Sequence, residues 1–331
     1  MKLSVIIPVY NGANFIEKSY YSIVNQELRD YEIIYVDNNS TDRTKENILD
    51  IQRKDVNVHY CFQSKQGAAP ARNMGIKKAL GDYIYLFDVD DELYPNAIKS
   101  LMKVLDENEE VDAVFGKMVK SNNGISKTKL PQDETNQLIL NPAPYWGLEW
   151  FASLKQVVGP PAFLYRNSVF DKIGLYNESL KNNEDTAFDI KLGMQCNIVK
   201  LDKYVYLYFK HDNSTIEISK RNMSRAFMMW PRLCLEHLPY YLQQKTPLRY
   251  KTILFSQLYQ NMARQLVCTH GRAKRIDLKK QLENDIRSVK LPWLINLYLN
   301  VLVTFPIEVV RKFYAYYIVP FVIKRQFKSI K

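Results

Sequence analysis

Residues 82–91 read DYIYLFDVDD, an apolar run that passes without a break into carboxylates at Asp88, Asp90 and Asp91. Asp82 to Asp88 is apolar on both sides of a period-two repeat, so it reads as a strand covered on both faces. The same signature recurs outward from it, at Leu3 to Val9, at Tyr31 to Asp37, more briefly at Asn57 to Phe62, and again at Val111 to Met118. Helices are expected in between: Asn14 to Leu28, a helix capped by Ser40 or Thr41 and ending near Arg53, Ala69 to Leu80 with Pro70 in its first turn, and Pro95 to Leu105. Alternation of buried strands and helices over short connections defines an α/β fold with a mostly parallel sheet flanked by helices. In such sheets ligands sit beyond the carboxyl ends of the strands, and the ends here are polar: Tyr10-Asn11, Asp37-Asn38 and Asp88-Val89-Asp90.

Further along, Ala162 to Tyr165 and Tyr204 to Phe209 read as strands, with a helix over Asp185 to Gln195 between them. Residues 119–150 turn from polar to aromatic and read as a long loop or small insertion, so 119–161 is expected to lie on the acceptor side. After about Ser219 only helical periodicity remains, as in Ile253, Leu254, Leu258, Met262 and Leu266. The expected division is a catalytic domain over 1–215 and a basic helical region over 216–331.

Composition narrows the class. With 331 residues, 47% hydrophobic and 13% aromatic, the chain has the material for real cores, which excludes disorder, a fibre and a disulfide scaffold. The four cysteines form no CxxC pair, which argues against structural zinc, and the apolar run after Met1 and Lys2 is too short for a secretion signal. The net charge of +11 is uneven: residues 231–331 hold 18 basic and 5 acidic residues, the first 230 hold 28 and 30.

Most of the polar clusters admit two readings. Asp88 and Asp90 point the same way along an extended segment, which suits magnesium or manganese held against a phosphate-bearing substrate, or an acidic turn before the helix at Pro95. Asp37 is a ligand group or a turn former, Arg72 an anion contact or a surface arginine, and Glu184-Asp185 reads by itself as a helix cap with an acidic first turn. His211, at a strand end beside Asp212, is a third metal or phosphate ligand or an isolated histidine. Neither a Walker loop, nor GxGxxG after the first strand, nor GxSxG is present.

Six segments taken in order resemble the inverting glycosyltransferase family 2. They are SVIIPVYN (4–11), YEIIYVDNNSTD (31–42), GAAPARNMG (67–75), DYIYLFDVDD (82–91), NEDTAFDIKLG (183–193) and YLYFKHDNST (206–215). The resemblance implies the GT-A fold and transfer of a sugar from a nucleoside-diphosphate donor, a UDP-sugar, to a lipid-linked or polysaccharide hydroxyl in bacterial surface-glycan synthesis. It implies that Pro8, Val9 and Tyr10 line the base site and that Asp37 meets the uracil ring. Asn39 stands where relatives often have glycine. Arg72 approaches the nucleotide and its phosphates, and Asp88, Val89 and Asp90 form the ribose and metal side. Asp90 is then the direct ligand of Mn2+ or Mg2+, aided by Asp88 and His211, and Asp185 is the general base. Two places depart from the common pattern: TAFDIKLG after Asp185, where many relatives have an aromatic followed by Arg-Leu, and Phe209-Lys210 where Tyr-Arg is frequent. A sugar-phosphate nucleotidyltransferase needs a Gly- and Arg-rich loop after the first strand, and PVYNGAN has no basic residue. A non-catalytic nucleotide-sugar-binding or scaffold protein is the other alternative, and the complete set of acidic residues argues against it.

In the tail, residues 291–307 carry no charge, and FYAYYIVPFVI (313–323) runs into Lys324-Arg325. Asparagines, prolines and marginal aromatics fit an interfacial helix better than a spanning one. With Arg272, Lys274, Arg275, Lys279 and Lys280, the tail suits an anionic membrane surface and, lacking an aromatic platform, no nucleic acid. The expected location is cytoplasmic, peripheral on the inner face of the cell membrane, with homo-oligomerisation through the C-terminal helices as a further option.

Overall fold

In the computed structural model, which describes residues 1–180, 183–211 and 229–327, the first aliphatic run forms β1 (Leu3–Val9) and YEIIYVD forms β2 (Tyr31–Asp37). Both are buried along their length, with only Pro8 part-exposed. The one acidic side chain at the start of β2, Glu32, is tolerated inside because the Ser4 hydroxyl (2.6 Å) and the Leu80 N–H (2.8 Å) donate to it. β3 (Val58–Phe62) and β4 (Tyr83–Leu86) complete a parallel half-sheet in the order β3-β2-β1-β4.

The sheet continues through β8 (Phe163–Arg166), β6 (Ala113–Ser121), β9 (Ile198–Phe209) and β5 (Glu92–Leu93), with β7 (Leu138–Asn141) also on β9. β8 runs antiparallel to both its neighbours, whereas β6 and β9 are parallel. Helices α1 (Ile16–Val24), α2 (Thr44–Gln52), α3 (Ala68–Lys78) and α4 (Ala97–Glu107) fill the connections of the first half. α5 (Tyr145–Ala152), α6 (Ser168–Ile173) and α7 (Glu184–Gln195) follow. The α/β arrangement of the GT-A type is the one observed, as a mixed sheet whose first four strands run parallel.

Three expectations need correction. Ser40 and Thr41 do not cap α2. Ser40 Oγ accepts the Asn11 N–H (2.9 Å), Thr41 N–H donates to Asn11 Oδ1 (2.8 Å), and Asp42 takes the Ala13 and Thr44 N–H groups (3.0 Å each). The loop after β2 is thus pinned to the loop after β1, because parallel strands bring both to the same sheet edge. The fourth strand ends at Leu86, not Asp88: the Phe87 N–H still donates to Ile6 O (2.9 Å), and then Asp91 N–H turns back onto Asp88 O (3.1 Å). Finally, residues 119–150 are not a loop throughout. β6 runs on to Ser121, residues 138–141 add an edge strand, and the aromatic stretch is α5, with Trp150 and Phe151 fully buried. Tertiary burial makes this segment part of the core.

The chain divides into two units, Met1–Ser214 and Thr215–Lys331. The junction lies outside the described residues, as do Asp212 beside His211 and Lys181-Asn182 before Glu184. The second unit holds helices Met229–Gln243, Leu248–Cys268, Arg272–Asp285, Trp293–Thr304 and Glu308–Phe313; the last continues through a π-turn, Tyr314–Ile318, into Val319–Phe327. Leu254, Leu258, Met262 and Leu266 are its buried stripe, as their spacing predicts. Two members of the expected basic cluster are engaged inside the unit: Arg275 is buried on the carbonyls of Val303 (2.8 Å) and Thr269 (3.0 Å), and Lys279 pairs with Glu283. Among the described residues no helix is long and apolar enough to cross a membrane.

Two glycine contacts position the functional edge. A Cβ on Gly75 would lie 2.2 Å from Ile6 Cγ2, so α3 packs directly on β1. A Cβ on Gly193 would lie 2.3 Å from the Gly147 backbone N, so α5 and α7 touch main chain to main chain. Gly193→Ala is expected to destabilise the protein by about 1–3 kcal/mol through overpacking, visible as a lower Tm by calorimetry. An unchanged Tm would show that this helix contact yields freely.

Candidate active site

The ends of β1, β2 and β4 meet at one edge of the sheet. Asp37 closes β2 and is 3% exposed; its carboxylate accepts the Ser40 N–H (2.9 Å) and the Tyr60 hydroxyl (3.0 Å). Burial and this bond to Asp37 push the Tyr60 hydroxyl up to about 12, so it remains a donor. Beside them an open pocket of about 450 Å3 is lined by Asp37, Ser40, Thr41, Lys45, Tyr60 and Phe62, among others. Pro8 and the buried Val9 stand at the neighbouring strand end, where the Val9 carbonyl accepts the Asn38 N–H (2.7 Å) and Tyr10 is exposed. Val89 leans on this corner: a Cβ on Gly12 would come within 2.7 Å of Val9 and 3.4 Å of Val89.

Asn39 has φ +62°, the left-handed conformation that glycine adopts freely and asparagine tolerates better than most residues. The departure from glycine at this position therefore keeps the backbone course. Its neighbour Asn38, marked in sequence only as part of a polar strand end, donates its amide to Gln63 O (3.2 Å) and Lys65 O (2.6 Å) and accepts the Gly67 N–H (2.7 Å). It thereby fixes the approach to α3. The signal available was its place directly after a strand-terminal aspartate.

Arg72 sits in α3 and is not the surface arginine of the second reading. It is 6% exposed, donating from Nη1 to Glu184 (3.0 Å) and from Nη2 to Asp88 (3.0 Å), with its guanidinium 5.6 Å from the Tyr176 ring centroid. Burial opposes its charge, but Asp88 and then Glu184 outweigh this and hold its pKa above the ordinary value. It bridges the end of β4 and the first turn of α7. Glu184, sequence-adjacent to the expected base and legible in sequence only as an acidic helix cap, is the partner of Arg72 on this side. Burial and Asp185 raise its pKa, and Arg72 opposes the rise.

Asp90 receives His211: Nε2 and Oδ2 are 2.8 Å apart, and the imidazole lies between the rings of Phe15 (5.5 Å) and Phe209 (5.7 Å). Burial and the charge of Asp88 raise the Asp90 pKa, partly offset by His211. Asp91 is turned inward to accept the Phe209 N–H (3.0 Å), and burial, Asp88 and Asp90 push its pKa well up. The three-residue metal set is not assembled as a cage. Among the described residues no group of three His, Cys, Asp or Glu converges to hold an ion, because Asp88 is turned to Arg72 while Asp90 and His211 touch each other. The Asp90 carboxylate still fits a hard divalent cation, since it is crowded by Asp88 and a cation would relieve its charge, while the His211 imidazole is a borderline donor beside it.

Asp185 lies in the first turn of α7, half-buried, with Oδ1 accepting the Thr186 N–H (2.6 Å). One turn on, Asp189 is fully buried with neither carboxyl oxygen hydrogen-bonded among the described residues. Burial and Asp185 push its pKa well above the carboxylate range, against the pull of Arg72.

A sheet of this order with carboxylates along its strand ends defines a GT-A-type enzyme. Residues 4–174 match the model of glycosyl transferase family 2, and the chain belongs to that family. It is 30% identical over 218 residues to the uncharacterized glycosyltransferase EpsJ of Bacillus subtilis, covering 65% of this chain and 63% of EpsJ, less than two thirds of that relative. It is 37% identical over 129 residues to the GalNAc(5)-diNAcBac-PP-undecaprenol β-1,3-glucosyltransferase of Campylobacter jejuni, or 38% of this chain and 41% of that one. In fold it is similar to S. aureus TarS 1-349 in complex with UDP-GlcNAc, at TM-score 0.63 and 20% identity over 98% of this chain and 92% of that one. A mannosyltransferase of Pyrobaculum calidifontis in complex with GDP-Man and Mn2+ aligns at TM-score 0.54 and 15% identity, over 99% and 88% of the two chains.

A carboxyl whose folded pKa lies above its unfolded value contributes most stability below the unfolded pKa and loses it as pH rises toward the folded one. Asp189→Asn removes that dependence. The stability of the variant relative to wild type should therefore grow above about pH 4, by up to about 1.4 kcal/mol per pH unit. Urea midpoints at a series of pH values check this, and a constant difference would mean that Asp189 does not titrate on unfolding.

Proposed function

We propose that the chain moves a sugar from a nucleoside-diphosphate donor, a UDP-sugar, to a hydroxyl of a lipid-linked or polysaccharide acceptor in surface-glycan synthesis, with inversion. The observation that carries this is the Arg72 bridge in a family 2 chain: it holds the Asp88–Asp90–His211 side against the Glu184–Asp185 side. UDP-GlcNAc in the TarS complex supports a UDP-sugar, and the Campylobacter relative, named for an undecaprenol-linked substrate, supports a lipid-linked acceptor. Such an acceptor calls for a reaction at a membrane surface, and the reading adopted is the cytoplasmic face of the cell membrane.

The acceptor hydroxyl holds its proton at neutral pH and is a poor nucleophile until a base takes that proton as the new bond forms. Asp185, in the first turn of α7, is assigned this step. Asp37 and Tyr60 orient the base of the donor. Asp90 and His211 are the residues that would hold Mn2+ or Mg2+, which when bound neutralises the charge growing on the departing diphosphate. One displacement inverts the anomeric carbon, with no enzyme nucleophile required.

Asp185→Asn should keep UDP affinity and lower sugar transfer by roughly 10²–10⁴-fold, read as UDP release with a panel of donors and membrane extract as acceptor. Near-normal turnover would remove Asp185 from the role. Asp90→Ala should weaken UDP binding in the presence of Mn2+ while leaving metal-free binding almost unchanged, and calorimetry with and without the metal separates the two. Equal affinity of variant and wild type under both conditions would count against a cation on Asp90.

A further inference from the structure

The last helical stretch of the second unit is apolar on both sides. Its inner side, Tyr314, Val319, Val322, Ile323 and Phe327, is buried, with the Tyr314 hydroxyl donating to Tyr259 O (3.2 Å) and Phe327 5.4 Å from Phe255. Its outer side repeats Val309, Phe313, Tyr316, Tyr317 and Phe321 at intervals of three and four, with Val309 74%, Tyr316 73% and Tyr317 66% exposed. A surface helix with one face in a core ordinarily turns a polar face to water, whereas between Lys312 and Lys324 the exposed positions of this one are Phe313, Tyr316, Tyr317, Pro320 and Phe321. The preceding helix adds Trp293 (74% exposed) and Leu297 one turn apart, and it lies alongside, since Tyr298 and Phe313 are 6.2 Å apart.

We infer that this outer face docks into the headgroup region of an anionic phospholipid bilayer. The side chains say which occupant fits. The face combines tryptophan, tyrosines and phenylalanines, the residues enriched where hydrocarbon meets headgroup. Exposed Lys290, Lys312, Lys324 and Arg325 flank it, within a stretch of 18 basic and 5 acidic residues from 231 to 331. Lysine and arginine stems lie along apolar surface while their heads reach lipid phosphates. The inner faces of both helices are committed to the core of the unit, so the segment lies on the membrane and does not enter it. The inference deepens the membrane placement proposed above and rests on it for its purpose, though not for its observations.

The test is flotation of the full-length protein on phosphatidylcholine vesicles with and without phosphatidylglycerol. Wild type should float with the anionic vesicles. Partitioning should be roughly tenfold weaker or less on neutral ones, and also for a variant combining Phe313→Ser, Tyr316→Ser, Tyr317→Ser and Phe321→Ser. A second variant, Lys312→Gln, Lys324→Gln and Arg325→Gln, leaves the apolar face intact and should lose the preference for phosphatidylglycerol, which keeps the test open if the serine variant folds poorly. Wild type that stays at the bottom, or variants that both float like it, would overturn the inference. So would light scattering that shows a dimer converted to monomer by the serine changes with flotation unaltered, since the face would then join two copies. UDP release measured in parallel separates the readings: release without flotation leaves the transferase assignment standing, and flotation without release leaves the docking face standing.

Discussion

The first unit depends on one buried cation. Arg72, from a helix pressed onto β1, joins a carboxylate at the end of β4 to a carboxylate at the start of α7. Without a positive charge between them, the part-exposed Asp88 and the largely buried Glu184 would repel each other beside a cavity left by the guanidinium. The bridge therefore explains why the end of β4 and the start of α7, more than 90 positions apart in sequence, hold a common geometry. It also accounts for the orientation of Asp88, which faces Arg72 and leaves Asp90 to His211.

Around this bridge the loops are mutually pinned. Asn11 exchanges hydrogen bonds with Ser40 and Thr41, Asp42 reaches Ala13, and Asn38 ties the 63–67 segment that leads into α3. The polar residues of these loops look like ordinary turn formers in sequence. In space they are the fastenings that hold three strand ends in register. The left-handed Asn11 and Asn39 belong to the same fastening, since each lets the chain reverse without a glycine.

The second unit follows a different logic. Its core is a helical stripe legible from spacing, but which basic residues face solvent is not. Arg275, one of five clustered cations, is buried on carbonyls because helix ends leave acceptors unsatisfied. Conversely, the run FYAYYIVPFVI does not say which of its tyrosines meet solvent: Tyr314 is buried, and Tyr316 and Tyr317 are exposed.

Sequence alone determined where β1 and β2 run, because a strand buried on both faces is mostly apolar, and both match their expected limits. It also marked Asp37, Asp88, Asp90, Asp185 and His211 as residues at element ends. Tertiary structure decided the rest. Trp150 and Phe151 became core because α5 meets α7 at two glycines, a long-range contact that local pattern does not encode. Glu184, Tyr60 and Asn38 acquired their roles from partners between 23 and 112 residues away. Hydropathy can say that a side chain is polar, and only the packed fold supplies the charge or donor that it meets.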